Sequence, residues 1–264
     1  MTDAPRLPVP PTAAATDDHA FASWAATVAG DLLTDVRRQG LEGKELKDAG
    51  DLAAHDLLMA ICAEHRPADS VMSEESKASI ADQDRLSASR VWIIDPLDGT
   101  REFSEPPRDD WAVHVALWQD GELTAGAVAQ PGIGQTFGTG HPPLVPPRTT
   151  ERPRVVVSRS RPPAFVERMA AAIGADLVPM GSAGAKVISV VRDVSDAYVH
   201  AGGMYEWDSA APVAVARAAG LHTSRIDGSP LVYNQADVWL PDLVVCRPEL
   251  ADTILSYIDR HGVE

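Results

Sequence analysis

Val91-Trp92-Ile93-Ile94-Asp95-Pro96-Leu97-Asp98-Gly99-Thr100 is the stretch from which the rest of the chain is best read. Four apolar residues in a row predict a short buried strand. Asp95 ends it. Pro96 has no backbone N–H to donate and forces a turn. Asp95 and Asp98 therefore both emerge at the strand's end, with the Leu97 carbonyl between them. Two carboxylates and a carbonyl make a hard-oxygen cradle of the kind magnesium prefers. Gly99 and Thr100 follow, where free N–H groups can open a helix and receive phosphate oxygens without a basic side chain. The bland alternative is an Asp-Pro turn followed by an Asp-Gly turn. Either dipeptide alone would deserve that reading; the pair after a buried strand points to a metal and a phosphate site side by side.

Outward from this segment the chain alternates. A helix is expected from Asp17 or Asp18, with Phe21, Ala25, Val28, Leu32 and Val36 on one stripe, ending at Gly40. A polar loop or ribbon is expected over Lys44–Gly50, then a helix from Asp51 to His65. Ala112–Trp118 and Leu123–Ala129 read as strands of a hairpin turning on Asp120-Gly121. The proline-rich His141–Pro153 reads as a boundary loop. Beyond it, strands at Arg154–Val157, Leu177–Met180, Asp196–Val199 and Leu243–Cys246 alternate with helices at Ala164–Ile173, Ala183–Val191, Asp208–Ala219 and Glu249–Arg260. Such alternation implies a layered α/β (α+β) architecture. Residues 1–16, rich in proline and alanine, are expected to be a disordered tail; 17–264 form one domain of two lobes, about 17–150 and 151–264.

The chain has 264 residues and 45% hydrophobic content, enough for a large core. Lysine plus arginine is 23 and aspartate plus glutamate is 38, a formal charge of -15. Such a surface argues against nucleic acid and anionic membranes as partners. It would also repel a phosphorylated substrate unless bound cations reverse the field locally. Cys62 and Cys246 are far apart in apolar stretches and offer neither a disulfide framework nor a zinc motif. With no secretory signal and no apolar run of spanning length, a cytoplasmic location is expected.

Three more acidic positions stand out, each with a bland reading. Glu74 and Glu75 follow Ser73, which could cap a helix with acids in its first turn. Asp208, in Glu206-Trp207-Asp208-Ser209-Ala210-Ala211, could be only a helix cap. Asp51 opens a predicted helix, where capping is again sufficient. His55, His65 and His114 fall within predicted elements and read as structural. Arg159, Arg161 and Lys186 read as surface charges or as substrate contacts.

Taken in order, Asp51, Glu74-Glu75, Asp95-Pro96-Leu97-Asp98-Gly99-Thr100 and Trp207-Asp208-Ser209-Ala210-Ala211 resemble the lithium-sensitive, magnesium-dependent phosphatases of the inositol monophosphatase superfamily. The resemblance runs from about Asp17 to the C-terminus. Within that superfamily it is similar to CysQ-type 3'(2'),5'-bisphosphate nucleotidases, through Arg101-Glu102-Phe103, Val157-Ser158-Arg159-Ser160-Arg161, Gly181-Ser182 with Lys186, and Glu206-Trp207-Asp208. It departs from them where Arg161 replaces a usual histidine, where Lys186 is shifted by one position, and at Val199-His200-Ala201-Gly202-Gly203. The roles of Arg101, Arg161 and His200 stay open.

The resemblance implies an αβαβα sandwich of the inositol monophosphatase/fructose-1,6-bisphosphatase type and two to three Mg2+ ions. It assigns one ion to Glu74, Asp95 and the Leu97 carbonyl, and a second to Asp95, Asp98 and Asp208. Asp51, Thr100 and Glu74 would be catalytic. Asp98, Gly99, Thr100, Arg159, Arg161, Lys186 and Asp208 would contact the substrate. The implied reaction removes phosphate from 3'-phosphoadenosine 5'-phosphate (PAP), leaving AMP, in sulfate assimilation. Inositol 1-phosphate or fructose 1,6-bisphosphate is the alternative substrate, with dual specificity open, as is a homodimer.

Other chemistries fit less well. Gly132-Ile133-Gly134-Gln135-Thr136-Phe137-Gly138 misses the dinucleotide fingerprint by one residue, and Gly181 to Lys186 has the wrong spacing for a P-loop. A non-catalytic metal-binding relative should have lost Asp51, Thr100 or a metal ligand, and all are present.

Overall fold

The computed structural model describes residues 7–76 and 84–263. Its helices are α1 (Thr12–Thr16), α2 (Asp18–Arg37), α3 (Gly43–His65), α4 (Thr100–Phe103), α5 (Ala164–Ala172), α6 (Ala183–Val191), α7 (Glu206–Ala218) and α8 (Pro248–His261). Its strands are β1 (Ser70–Ser73), β2 (Arg90–Asp98), β3 (Ala112–Gln119), β4 (Glu122–Gln130), β5 (Gln135–Gly138), β6 (Arg154–Ser158), β7 (Asp176–Met180), β8 (Ala197–Tyr205), β9 (His222–Ser224) and β10 (Trp239–Cys246).

The strands form two five-stranded sheets, ordered β1-β2-β3-β4-β5 and β7-β6-β8-β10-β9. Three apolar clusters separate the layers. Trp92 and Ile94 on β2 face Phe21, Leu33, Leu58 and Ile61 of α2 and α3. Val91 and Ile93, on the other face of the same strand, pack with Val187, Val191, Ala211 and Val215 of α6 and α7 and with Val156 of the second sheet. Beyond that sheet, Val155, Val157 and Val244 pack on α5 and α8. The order is helices, sheet, helices, sheet, helices, an αβαβα sandwich. Both sheets are buried on both faces, which is why β2 reads as an unbroken apolar run rather than an alternating one. Among the described residues, no helix is long and apolar enough to cross a membrane.

Two sequence expectations change. Lys44–Gly50 is not a loop: α3 begins at Gly43. Leu46, Gly50, Ala54 and Leu58 are buried at four-residue spacing, a stripe hidden by the charged residues between them. Gly50 is there for room, since a Cβ would come within 2.6 Å of Phe103 Cε1. Of the stretch expected to be a tail, Thr12–Thr16 is a short helix with Ala14 buried, and the Arg66 guanidinium donates to the Ala14 carbonyl.

Candidate active site

The acidic site is built on an irregularity in β2. Asp95 pairs with His114 on β3, but Asp98 pairs with Ala112, so two β2 residues lie opposite one. Residues three apart in a regular strand point to opposite faces. The extra residue, a β-bulge, brings Asp98 round to the face that carries Ile93 and Asp95. Asp208 arrives from the start of α7. Carboxylate oxygens of Asp95, Asp98 and Asp208 then lie within 4.8 Å of one another.

Each carboxylate is held differently. Asp95 Oδ1 accepts from Leu97 N at 3.0 Å, while its buried Oδ2 has no hydrogen-bond partner. Asp98 caps α6, accepting from Ser182 Oγ at 2.5 Å, Ala183 N at 3.1 Å and Gly184 N at 2.5 Å. Asp208 Oδ2 accepts from Tyr205 N at 2.6 Å. It is both a helix cap and a member of the cluster, so the two readings of this residue are not exclusive. Glu74, in a turn just after β1 rather than in a helix, keeps part of its surface in solvent but lies close enough to Asp95 and Asp208 to feel both.

The electrostatics follow from this crowding. Burial, then the charges of Glu74, Asp98 and Asp208, push the Asp95 carboxyl well up. Loss of solvent in the cleft and the charge of Asp208 raise Glu74 to about 7. Burial and the charge of Asp98 raise Asp208 to about 6. Asp98 is the exception. Burial pushes it up, but His114, Ser182 and Gly184 together outweigh that and hold it at about 2. Four carboxyls that repel one another, with a buried oxygen left over, fit a divalent cation with hard-oxygen preference. Their donors are all oxygen, so the residues present suit magnesium.

Thr100 Oγ1 lies 3.4 Å from Asp51 Oδ1 and 3.2 Å from the Leu97 carbonyl. Burial and the charge of Glu75 raise Asp51 to about 6. Gly99 adopts φ 83°, and its backbone passes so close to α6 that a Cβ would sit 2.9 Å from Ser182 Cβ.

A cavity of about 620 Å³ adjoins Asp208 and is lined by Ser158, Arg161, Lys186, Tyr198 and the 199–205 stretch, with Trp239. Lys186 is buried, and its Nζ donates to the Gly181 and Ser182 carbonyls. Burial lowers its ammonium below the ordinary lysine range. Arg159, expected as a substrate contact, turns elsewhere: it pairs with Glu102 and Glu105, each at 2.7 Å, and does not line this cavity.

The sequence gives no sign of the part that His114 and Glu206 play. His114, read as structural, lies fully buried with Nε2 3.3 Å from Asp98 Oδ2 and Nδ1 3.1 Å from the Trp207 carbonyl. Glu206 is buried and accepts from Asn234 N and Gln235 N, fixing the loop beside α7. Nothing in the spacing of either residue marks it. His114 could have been found only from its place on the strand that pairs with the Asp95 strand.

Comparison with known proteins points to one family. The inositol monophosphatase family model matches residues 16–262. A 3'-phosphoadenosine 5'-phosphate phosphatase of Mycobacterium tuberculosis is 49% identical over 243 residues, 87% of this chain and 89% of that one. The crystal structure of CysQ from Bacteroides thetaiotaomicron superposes with TM-score 0.74 at 25% identity, over 88% of this chain and 98% of that one. Inositol monophosphatase II of Staphylococcus aureus shares the fold, with TM-score 0.77 at 21% identity over 91% and 93% of the two chains. A match over nearly the whole chain, joined to an acidic cluster drawn from both halves of the sequence, makes this chain a member of the inositol monophosphatase family.

Proposed function

We propose that the chain is a magnesium-dependent phosphatase that hydrolyses PAP to AMP and phosphate, the substrate in the name of its mycobacterial relative. The observation that carries this is the joining of two sites. The Asp95, Asp98 and Asp208 carboxylates adjoin a cavity whose wall holds Arg161 and Lys186. PAP carries two phosphates. One needs the cluster and the other needs separate positive charge, because an unpaired dianion in a cleft is costly. Arg161 can donate two parallel hydrogen bonds to a phosphate, as lysine cannot.

Glu74, Asp95, the Leu97 carbonyl, Asp98 and Asp208 would hold two to three Mg2+ ions. Held there, magnesium would supply the acidification of a water and the positive charge that offsets the phosphate. Asp51, poised near 6, takes the proton of the attacking water. Thr100, bonded to Asp51 and facing the Leu97 carbonyl, orients that water. Backbone N–H groups at Gly99 and Thr100 receive phosphate oxygens. The ester P–O bond breaks as the water oxygen bonds to phosphorus, and the freed nucleotide hydroxyl takes up a proton. A cytoplasmic location and a homodimer belong to the same proposal.

Arg159 is engaged by Glu102 and Glu105. Arg161 and Lys186 line the cavity and would meet the second phosphate, Lys186 with the ammonium hydrogen not given to the Gly181 and Ser182 carbonyls, and inositol 1-phosphate is kept as a slower second substrate. The test is phosphate release from PAP, inositol 1-phosphate and fructose 1,6-bisphosphate, with and without magnesium, for the wild type, Arg161→Ala and Lys186→Ala. PAP should be preferred, and both variants should lose efficiency on PAP more than on inositol 1-phosphate. Equal losses on both esters, or a preference for inositol 1-phosphate, would overturn the substrate assignment.

A further inference from the structure

The cavity beside Asp208 also contains two large aromatic side chains that phosphate chemistry does not use. Tyr205 is 43% exposed and Trp239 46% exposed. Rings of this size dominate buried cores and interfaces, so leaving both half open to a cavity needs an explanation.

They are direct cross-strand partners on β8 and β10, with rings meeting edge to face at 5.2 Å and 81°. Behind them Tyr205 stacks on the buried Trp207 at 4.7 Å and 14°. Gly203 lies two residues before Tyr205 and adopts φ 86°. A Cβ there would fall 1.6 Å from the indole Cζ2 and 2.3 Å from Cε2. The indole thus rests on bare strand backbone, in space that only glycine leaves open. Just there the strands slip register between Leu240 and Asp242, which frees the Gly202–Gly203 backbone from regular pairing. Backbone backs the indole and the Tyr205 ring meets it, and because Trp239 lines the cavity, the surface these leave uncovered is open there.

We infer that Trp239, backed by Tyr205 and seated on Gly203, is the platform that receives the purine base of the nucleotide. The inference rests on the nucleotide reading above and adds the residue that recognises the base. Aromatic rings pair well in offset stacks, and base–aromatic stacking tolerates any base because each has a π face. The platform is tied to the reacting phosphate through one short segment, since Tyr205 N donates to Asp208 Oδ2. Base and cluster are thereby held at a fixed separation.

The experiment compares wild type, Trp239→Ala and Trp239→Phe in magnesium, with kcat and KM measured on PAP, its guanine analogue and inositol 1-phosphate. Tryptophan emission is followed in parallel during titration with AMP. Trp239→Ala should raise KM for PAP and for the guanine analogue about tenfold, within the range of base stacking. It should change the inositol 1-phosphate KM several-fold less, and Trp239→Phe should restore most of the loss. AMP should quench wild-type emission, and the quench should be much weaker in Trp239→Phe. A KM for PAP unmoved by Trp239→Ala, equal shifts on the base-free ester, or an AMP quench undiminished in Trp239→Phe would each overturn the platform. If wild type turns over PAP while one of these holds, the platform alone fails. If wild type neither hydrolyses PAP nor binds AMP, the nucleotide reading fails and the platform with it.

Discussion

His114 Nε2 lies 3.3 Å from Asp98 Oδ2, while its Nδ1 lies 3.1 Å from the carbonyl of Trp207, the residue before Asp208. One buried ring thus spans the two segments that supply the acidic cluster. Nδ1 is hydrogen-bonded to that carbonyl and Nε2 lies within ion-pair distance of a carboxylate, an arrangement that favours the imidazolium. Burial opposes that charge, but Asp98 outweighs burial and the ring's pKa rises. Partners that orient metal-binding carboxylates typically carry ten- to a hundredfold in affinity. His114→Gln should weaken magnesium binding by about that factor, read by calorimetry, while circular dichroism stays native. Unchanged magnesium affinity would make His114 a packing residue only.

Gly184 is where α6 passes that ring. A Cβ would come within 2.0 Å of His114 Nε2 and 3.0 Å of Asp98 Oδ2. Neither neighbour is the loose end of a flexible chain. Gly184→Ala should cost about 1–3 kcal/mol of stability, as overpacking does, and should depress turnover as well. Chemical denaturation and a phosphate-release assay measure the two effects.

Asp98→Asn keeps the shape of the side chain but removes a charge from the cluster and offers donors where Gly184 N and Ala183 N also donate. Turnover should fall at least a hundredfold at saturating magnesium, because cation chemistry carries several kcal/mol of the barrier. Near-normal turnover in a folded variant would remove Asp98 from the site.

Thr100→Ala should behave differently. It removes the hydroxyl beside Asp51 but no carboxylate. We expect kcat to drop by about two orders of magnitude, the usual scale for losing general-base assistance, with magnesium affinity within twofold of wild type. Parallel losses of rate and affinity would assign Thr100 to the metal site instead.

The raised carboxyls give the metal-free protein a pH signature. Asp95 lies above its ordinary value, Glu74 at about 7 and Asp208 at about 6. Between their unfolded values and these folded ones the native state holds more protons than the unfolded chain, so stability falls as pH rises. His114, also raised, contributes stability at low pH that is lost as it deprotonates, in the same direction. Asp98, held at about 2, acts only in strong acid. In EDTA the Tm should therefore be lower at pH 8 than at pH 5.5, and magnesium should raise it more at pH 8. A Tm in EDTA independent of pH over that interval would contradict the clustering.

Much of this was legible in the sequence because it is written in local pattern. The buried β2 run, the Asp120-Gly121 hairpin and the second-half alternation all follow from period and turn chemistry, and β3, β4, β6 and α6 lie within one residue or so of their expected bounds. Short edge strands such as β5 and β9 carry too few residues for a period to show. What the sequence hid is contact between distant segments. Arg159 looks like a phosphate ligand until Glu102 and Glu105, more than 50 residues away, are seen to hold it. His114 looks like any strand histidine until α6 and the Trp207 carbonyl are placed around it.

The division of the acidic cluster between β2 and α7 has a consequence for assembly. Asp95 and Asp98 belong to the first sheet, and Asp208 lies in the first turn of a helix packed between the sheets. They lie on either side of 141–153, a stretch without helix or strand. A cation shared by all three would bind the joined halves more tightly than either alone, and that difference becomes association energy for two polypeptides cut within that stretch. Magnesium should therefore tighten the association of two such fragments, beyond what the apolar packing between them supplies.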